Sequence, residues 1–425
     1  MNTYNIAAIG GDGIGPEVVK AGVQVLNVCA ERDGGFKIDF KNFDWGSDYY
    51  KKHGVMMPAD GADQLRKFDA ILFGAVGAPD IPDHITLWGL RLAICQPLDQ
   101  YANVRPTRIL PGIISPLRNV SGPELDWVIV RENSEGEYSG VGGRVHKGLP
   151  EEAGMDVSLM TRPGVTRIMR FAFRLAQSRP RKLLTVVTKS NAQRHAMVMW
   201  DELAAEVAKE FPDVTWDKLT MQMVMRPQTL DTIVATNLHA DILSDLAAAL
   251  AGSLGIAPTA NLNPERKAPS MFEPIHGSAF DITGKGVANP VATFWTASMM
   301  LAHLGEKGAA ARLMKAVERV TANKALHTPD LGGKGPRGRS QTRSARFSAP
   351  PTIRGVRPGF RGIRWCITHA SYSEACSMQR LPLHRRSCAS PTISLPRRRA
   401  EPSWSAPVRP RPQWPRPSRM PGPAP

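Results

Sequence analysis

Short apolar segments alternate with helical patterns along the first 250 residues, and this alternation limits the folds open to the chain. The apolar segments, each short enough for a strand, occupy residues 5–9, 69–75, 127–130, 183–188 and 230–235. The helical patterns occupy residues 16–32, 165–177 and 194–211. Strands separated by helices predict an α/β fold with a mainly parallel sheet covered by helices.

A glycine-rich loop follows the first predicted strand and invites comparison with dinucleotide-binding loops. Its glycines are Gly10, Gly11, Gly13 and Gly15, and a helix with proline at its first position follows directly. A Rossmann fingerprint requires the spacing G-x-G-x-x-G. The sixth position counted from Gly11 is Pro16, so the spacing fails. The chain is therefore not predicted to have a Rossmann fold.

The segment 230–245, LDTIVATNLHADILSD, places two acids at the start of a predicted helix. Asp241 and Asp245 are four residues apart, so on a helix they lie on one face, one turn from each other. Carboxylate oxygens in that arrangement suit a hard divalent cation. Two acids in a first helical turn also complement the helix dipole without any metal. The spacing alone leaves both interpretations open.

Three arginines, one tyrosine and one lysine are candidates for substrate chemistry. Guanidinium groups form paired hydrogen bonds with carboxylates, so Arg91, Arg105 and Arg131 would suit a dicarboxylate if they converge. Taken singly, each is also typical of a surface ion pair. Tyr138 follows Arg131 closely, and Lys189 directly follows a predicted strand, where a cleft is expected. A lysine there can carry a proton, although a solvated loop lysine is the ordinary case.

A second glycine-containing loop covers residues 273–289, EPIHGSAFDITGKGVAN. It contains His276, closely spaced glycines and Asp281, a combination suited to enclosing a nucleotide whose ribose hydroxyl binds a carboxylate. An ordinary surface turn has a similar composition.

The net charge of +16 resides in the last 91 residues. Residues 335–425 contain 18 Arg, no Lys and two acids, whereas residues 1–334 contain 36 basic and 36 acidic residues. The Arg-rich, Pro-rich composition of the tail resembles that of a GC-rich coding sequence translated in a shifted reading frame. The same composition predicts a disordered segment. The alternative is an arm that binds nucleic-acid phosphates.

The number of cysteines and the length of the apolar segments indicate the cellular compartment of the protein. Only Cys29 and Cys95 lie before the tail, so neither a disulfide framework nor a zinc site is predicted. No segment approaches the length of a membrane span, and the N-terminus lacks a signal-peptide pattern. We expect a cytoplasmic protein that does not enter the membrane.

Five motifs, in order along residues 3–334, together resemble one enzyme family. They are IGGDGIGPE, RENSEGEY, VTKSN, TNLHADILSDL and FEPIHGSAFDITGKGVANP. The family is that of the metal-dependent β-decarboxylating dehydrogenases, which includes isocitrate and isopropylmalate dehydrogenases. Within it, the segments TLWGLRLAICQPLDQYANVRP and ANLNPERKAPSMFEPIHGSAFDI are similar to the tartrate and D-malate dehydrogenase (decarboxylating) branch.

The resemblance implies a two-domain, isopropylmalate-dehydrogenase-like fold and a homodimer with shared active sites. Residues 1–99 and 250–334 would form the large, cofactor-side domain. Residues 100–249 would form the small domain, with a dimer arm near 139–160.

The resemblance also implies roles for individual residues. Arg91, Arg105 and Arg131 would bind substrate, Tyr138 would donate a proton, and Lys189 would act in the partner's site. Mg²⁺ or Mn²⁺ would be bound by Asp241, Asp245 and an Asp from the partner chain. NAD would be bound by the residues of the second loop, namely Glu273, His276, Gly277, Ser278, Ala279, Asp281, Ile282 and Asn289.

Two departures from the family pattern bear on activity. Residues that normally follow WDK and include the partner-chain metal ligand are missing, and Asp217 falls at the register of that ligand. Asp217 could replace the ligand, or it could be the upstream Asp of WDK brought into register by a deletion that shortens a helix. The second departure is the tail, which replaces the C-terminal helix that normally closes the large domain.

The sequence therefore predicts NAD- and divalent-metal-dependent oxidation, with β-decarboxylation, of a small 2-hydroxy dicarboxylate such as D-malate or tartrate. One alternative is a catalytically impaired homologue that binds NAD or substrate without turnover. The other is a nucleic-acid binder acting through its basic tail.

Overall fold

A computed structural model describes residues 1–218 and 222–333. The Arg-rich tail, with its predicted disorder and possible nucleic-acid binding, lies outside the described residues. Within them, no helix is both long enough and apolar enough to cross a bilayer.

The described residues contain twelve strands, ten of which form one sheet. The strands are β1 (Asn2–Gly11), β2 (Phe36–Phe43), β3 (Ala70–Ala75), β4 (Ala102–Arg108), β5 (Asp126–Glu132), β6 (Gly142–Val145), β7 (Ala153–Asp156), β8 (Leu183–Val186), β9 (Thr215–Asp217), β10 (Thr232–Ala235), β11 (Pro258–Leu262) and β12 (Ser270–Pro274). The five predicted strands overlap β1, β3, β5, β8 and β10.

Helices follow or cover these strands. They are α1 (Gly15–Asp33), α2 (Ser47–His53), α3 (Gly61–Leu65), α4 (Asp83–Thr86), α5 (Ala93–Cys95), α6 (Arg162–Ser178), α7 (Ala196–Ala208), α8 (Gln222–Met225), α9 (Asn237–Ala251), α10 (Val291–Leu304) and α11 (Lys307–Ala322), with a π-helical segment at Leu87–Leu92. Three of the predicted helices correspond to α1, α6 and α7, and the helix predicted from Asp241 onward is α9, which begins earlier, at Asn237. Pro16 lies in the first turn of α1, and Gly34, with φ of 66°, ends the helix in the left-handed conformation that glycine favours.

The large sheet has the order β2-β1-β3-β12-β11-β4-β5-β10-β8-β9. Pairing is parallel among β2, β1, β3 and β12 and again among β5, β10, β8 and β9, so the prediction of a mainly parallel sheet is confirmed. The centre differs, because β11 pairs antiparallel with β12 and β4, and β4 pairs antiparallel with β5. These antiparallel strands join the two parallel halves.

Apolar clusters cover both faces of each half of the sheet. Helices α1, α10 and α11 pack on one face of the first half, and Trp45, Leu65 and Phe73 lie in the cluster on the other. Helices α6 and α7 cover one face of the second half, and α9 packs with Trp127 on the opposite face.

The segment 139–160, which we expected to form an arm, contains the antiparallel pair β6 and β7. Five large apolar side chains in this segment are exposed: Val141, Val145, Leu149, Met155 and Leu159.

Candidate active site

Three polar residues lie in register across the antiparallel centre of the sheet. Asn261 on β11 pairs with Asn103 on β4, and Asn103 pairs with Arg131 on β5. Arg105 lies two residues beyond Asn103, so its side chain leaves the same face of the strand. Arg91 reaches this row from the π-helical segment. All three candidate substrate arginines are therefore brought together, and each is buried.

Asp241, on the second turn of α9, is the acidic centre of this group. Its Oδ1 accepts hydrogen bonds from Arg131 and, at 3.1 Å, from Nη1 of Arg105. Its Oδ2 accepts a hydrogen bond from the Tyr138 hydroxyl at 3.1 Å. The guanidinium of Arg131 also lies over the Tyr138 ring, 5.2 Å from its centroid. The predicted substrate, proton-donor and metal residues thus meet in one network.

Burial and charge shift the pKa values of these groups. Burial is the largest effect on both Arg105 and Arg131; with the mutual repulsion of the guanidinium groups it lowers the pKa of Arg105 to about 10 and also lowers that of Arg131. Burial acts to raise the pKa of Asp241, but Arg131 and Arg105 outweigh it and lower that pKa. Burial and the Asp241 charge raise the pKa of Tyr138, so its phenol stays protonated at neutral pH.

Arg91 belongs to the same site but has a different counter-charge. Its Nε donates to Oε1 of Glu273 at 2.8 Å, and its Nη2 donates to Oδ1 of Asn261 at 3.1 Å. Burial opposes the Arg91 cation, yet the Glu273 carboxylate outweighs burial and raises the pKa of Arg91. Glu273, expected in the cofactor set, thus contacts Arg91, an arginine predicted to bind substrate.

Asp241 and Asp245 offer oxygen ligands for a divalent cation from one face of α9. Loss of water around Asp245 raises the pKa of its carboxyl, and the Asp241 charge adds to this against the attraction of Arg105. Two carboxylates that repel each other in this way suit a shared hard cation. Nowhere in residues 1–218 and 222–333 do three Asp, Glu, His or Cys side chains form a possible metal site. Within the described residues, this position therefore offers two carboxylates, Asp241 and Asp245, to a cation.

Lys189 and Asp217 lie away from this network. Lys189 is exposed in the loop after β8, and its side chain forms no hydrogen bond or ion pair within the described residues. Asp217 is the last residue of β9, the edge strand, where it pairs with Thr185. This position leaves open whether Asp217 replaces the missing ligand or is the upstream Asp of WDK brought into register by the deletion. Its Oδ1 is buried and has no hydrogen-bond partner in the described part of the chain.

The two glycine-containing loops contact each other. Gly13 has φ of 57°, and a Cβ placed there would lie 2.0 Å from the carbonyl oxygen of Ser278. The backbone N–H of Ile14 donates to that same oxygen at 2.8 Å. A side chain at position 13 would therefore force the loops apart, which explains the glycine.

Asp12 fixes the first loop from within. Its carboxylate, only 5% exposed, accepts hydrogen bonds from the N–H and hydroxyl of Ser47, both at 2.7 Å, and from the N–H of Gly77 at 2.8 Å. Asp12 thereby ties together the ends of β1 and β3 and the start of α2.

Among the remaining predicted cofactor residues, only Gly277 and Asp281 are exposed. His276 has a buried Nε2 without a partner in the described residues, and burial lowers its pKa, so a neutral imidazole is available to a ligand. Asp281 is exposed. Asn289 instead serves the fold, because its amide binds Asp330 and the N–H of Val291 at the start of α10. The others, Gly277, Ser278, Ala279 and Ile282, lie between His276 and the end of the short turn at Phe280–Ile282.

Sequence reasoning missed four polar residues that build the site. These are Asp12, Asn103, Asn133 and Asn261, all at most 5% exposed. For Asn103 and Asn261 the signal was a polar residue inside a segment that otherwise has the composition of a strand, as in ANVRP and TANLN.

Comparison with known proteins agrees with this architecture. The sequence model of the family described as isocitrate/isopropylmalate dehydrogenase matches residues 5–346, slightly beyond the end expected from the motifs. A probable tartrate dehydrogenase/decarboxylase of Agrobacterium vitis is 75% identical over 338 residues, covering 78% of this chain and 94% of the relative. The D-malate dehydrogenase (decarboxylating) of Escherichia coli strain K12 is 50% identical over 345 residues, covering 78% and 95%.

A solved structure shows the same fold. Isocitrate dehydrogenase from Methylococcus capsulatus aligns with a TM-score of 0.73 and 33% sequence identity, over 86% of this chain and 99% of that one. The chain belongs to the isocitrate/isopropylmalate dehydrogenase family.

Proposed function

We propose that the protein oxidises a small 2-hydroxy dicarboxylate, D-malate or tartrate, with NAD and Mg²⁺ or Mn²⁺, and that oxidation is coupled to β-decarboxylation. The observation that carries this proposal is the convergence of three buried arginines with Tyr138 on Asp241. Relatives named for tartrate and D-malate at 75% and 50% identity support the choice of substrate.

The arginines would bind the substrate carboxylates. Three buried cations share two acids, the half-buried Asp241 and the buried Glu273, so the network of ion pairs holds an excess of positive charge for an anionic ligand. Guanidinium groups match carboxylate geometry and bind best where water is excluded. A dicarboxylate would be held at both ends, which orients its C2 hydroxyl and its leaving carboxylate.

Two residues would move the protons. Lys189, from the partner subunit, would accept the C2 hydroxyl proton, which is consistent with its separation from the arginine network of its own chain. Tyr138 is protonated and lies against Asp241, so it would donate its proton to the carbon that loses carbon dioxide.

The metal and the cofactor supply the remaining chemistry. Asp241 and Asp245 would hold the divalent cation, which when bound supplies Lewis-acid stabilisation of negative charge. His276 and Asp281 would hold NAD, which supplies the hydride acceptor. A carboxylate at position 281 favours a ribose 2′-hydroxyl over a 2′-phosphate, and this supports NAD rather than NADP.

A homodimer would complete each site. The exposed apolar side chains of the segment 139–160 need a covering surface, and a second copy of the arm would supply one. The partner would also contribute Lys189 and the third metal carboxylate, for which Asp217 is a candidate.

The test is NADH formation from D-malate and from tartrate by the purified protein, with Mn²⁺ present and then chelated. Chelator-sensitive turnover supports the proposal. Binding of NAD and substrate without turnover would favour the impaired homologue, which the position of Asp217 on β9 makes the second candidate. The same assays on a chain ending at Lys334 show whether the tail affects either outcome. Salt-sensitive DNA binding that is lost when the tail is removed would support the nucleic-acid alternative.

A further inference from the structure

Asn261 is the most highly connected side chain in the buried network. Its Oδ1 accepts three hydrogen bonds, from Arg91 Nη2 at 3.1 Å, Asn103 Nδ2 at 2.6 Å and Asn133 Nδ2 at 3.1 Å. Its Nδ2 donates to Oε1 of Glu273 at 2.8 Å. The residue is fully buried. Only this orientation of the amide gives all three donors an acceptor and gives the carboxylate a donor.

These bonds connect Arg91 and Arg105 through two amides, those of Asn261 and Asn103. Arg91 is held along one edge, with Nε on Glu273 and Nη2 on Asn261. Asn103, fixed by its bond to Asn261, accepts from Nε of Arg105 at 2.9 Å. The orientation of both guanidinium groups therefore depends on the same side chain.

We infer that Asn261 is a positioning residue that sets the spacing of Arg91 and Arg105, and hence the fit of the substrate carboxylates. This inference rests on the proposed function, in which those arginines bind substrate. Asn261 does not itself face the substrate in this assignment, because it is fully buried, its amide oxygen accepts from three protein groups and its amide nitrogen donates to Glu273.

The chemistry of the position requires an amide. An aspartate has the same shape and could still accept from Arg91, Asn103 and Asn133. Its second oxygen, however, would face Oε1 of Glu273 where the amide now donates, and two carboxylates in contact repel each other. The arginines would then be drawn toward position 261. A serine would be too short to reach all four partners.

The variant N261D tests the inference, and N263D is its matched control. Asn263 lies two residues away, is also buried, and binds backbone groups of Leu98, Asp99 and Lys267 instead of an arginine. We expect N261D to raise the KM for D-malate and its calorimetric Kd roughly tenfold or more, with a smaller change in kcat, since ground-state binding is lost. The Kd for NAD should change less than twofold, and N263D should change neither affinity.

The outcomes separate the two proposals. If the unaltered protein neither binds nor oxidises D-malate or tartrate, the proposed function fails and this inference fails with it. Suppose that the unaltered protein binds D-malate, and that the N261D variant binds it equally well although its melting temperature is lower. The role of Asn261 is then structural, and only this inference is overturned. If N261D does not fold, N261S carries the same comparison, because it removes the amide without adding a charge.

Discussion

Replacing Tyr138 with Phe should abolish most of the turnover while leaving the fold nearly intact. The lost hydroxyl donates one hydrogen bond, at 3.1 Å, to Asp241, which keeps Arg105 and Arg131 as partners. A hydrogen bond to a charged group contributes about 1.5–3 kcal/mol, and the partial exposure of Tyr138 places this one at the lower end. We therefore expect a decrease of a few degrees in melting temperature.

The expected catalytic effect is much larger than this. A positioned general acid contributes roughly 10²- to 10⁴-fold, whereas 1.4 kcal/mol corresponds to a factor of about ten. NADH formation from D-malate should therefore fall at least a hundredfold in Y138F. Because burial and the Asp241 charge raise the pKa of the Tyr138 phenol, the unaltered enzyme should not lose turnover through deprotonation of this phenol when the pH is raised to 9.

Tyr101 provides the matched control. Its hydroxyl also donates to a carboxylate, Glu265, at 2.8 Å, and an arginine, Arg167, lies over its ring at 4.1 Å. It lies outside the arginine network, so Y101F should retain activity within about threefold while losing a comparable hydrogen bond. A Y138F enzyme with more than a tenth of the normal kcat, or a Y101F enzyme equally impaired, would refute the role of Tyr138 as proton donor.

Three further predictions concern charge, pH and packing. D241N leaves the buried Arg105 and Arg131 without their shared counter-charge and should lower the free energy of unfolding, measured in urea, by about 3–5 kcal/mol. Asp245 is exposed, so the control D245N should lower it by less than about 1 kcal/mol. Burial lowers the pKa of His303 to about 4. Between pH 6.5 and 4 the His303 imidazole is therefore protonated in the unfolded chain and neutral in the folded chain. Stability should therefore fall as pH falls through that window, by at most about 3 kcal/mol, and H303L should remove this part of the pH dependence. W127F removes a fully buried indole whose N–H donates to the Pro227 carbonyl at 2.8 Å, and should cost about 1–3 kcal/mol by thermal or urea unfolding.

The strands that sequence reasoning found and those it missed differ in a physical property. Strand β3 is apolar and buried along its whole length, so the apolar run predicts it directly. Strand β4 contains the buried Asn103 and Arg105 and a proline, and β11 contains the buried Asn261. The buried polar site residues of β4 and β11 interrupt the apolar run from which a strand is predicted. A search for apolar runs therefore does not find these two strands.

The site residues show the same limit. The sequence motifs identified Arg131, Asp241 and Tyr138 as site residues. Their contacts with one another depend on the fold and could not be predicted from the motifs. The bonds of Asn261 join residues 12 to 170 positions apart in sequence, which no local pattern can indicate. The position of Asp217 was not predictable for another reason: a register count along the sequence does not give the secondary structure at the residue it reaches, which here is the end of a strand.

The charges of the site lead to a last expectation about binding order. The two acids paired with Arg91, Arg105 and Arg131 are Glu273 and Asp241, which leaves one positive charge in excess. Asp245, which forms no ion pair with these arginines, brings the six side chains to neutrality. A divalent cation alone would add two positive charges beside buried arginines, and a dicarboxylate alone would add two negative charges beside Asp241 and Asp245. Bound together they restore neutrality, so each should increase the affinity for the other, and by linkage the two factors must be equal. Mn²⁺ affinity measured with and without D-malate tests this, and an unchanged Mn²⁺ Kd would show that the two ligands do not share the arginine network.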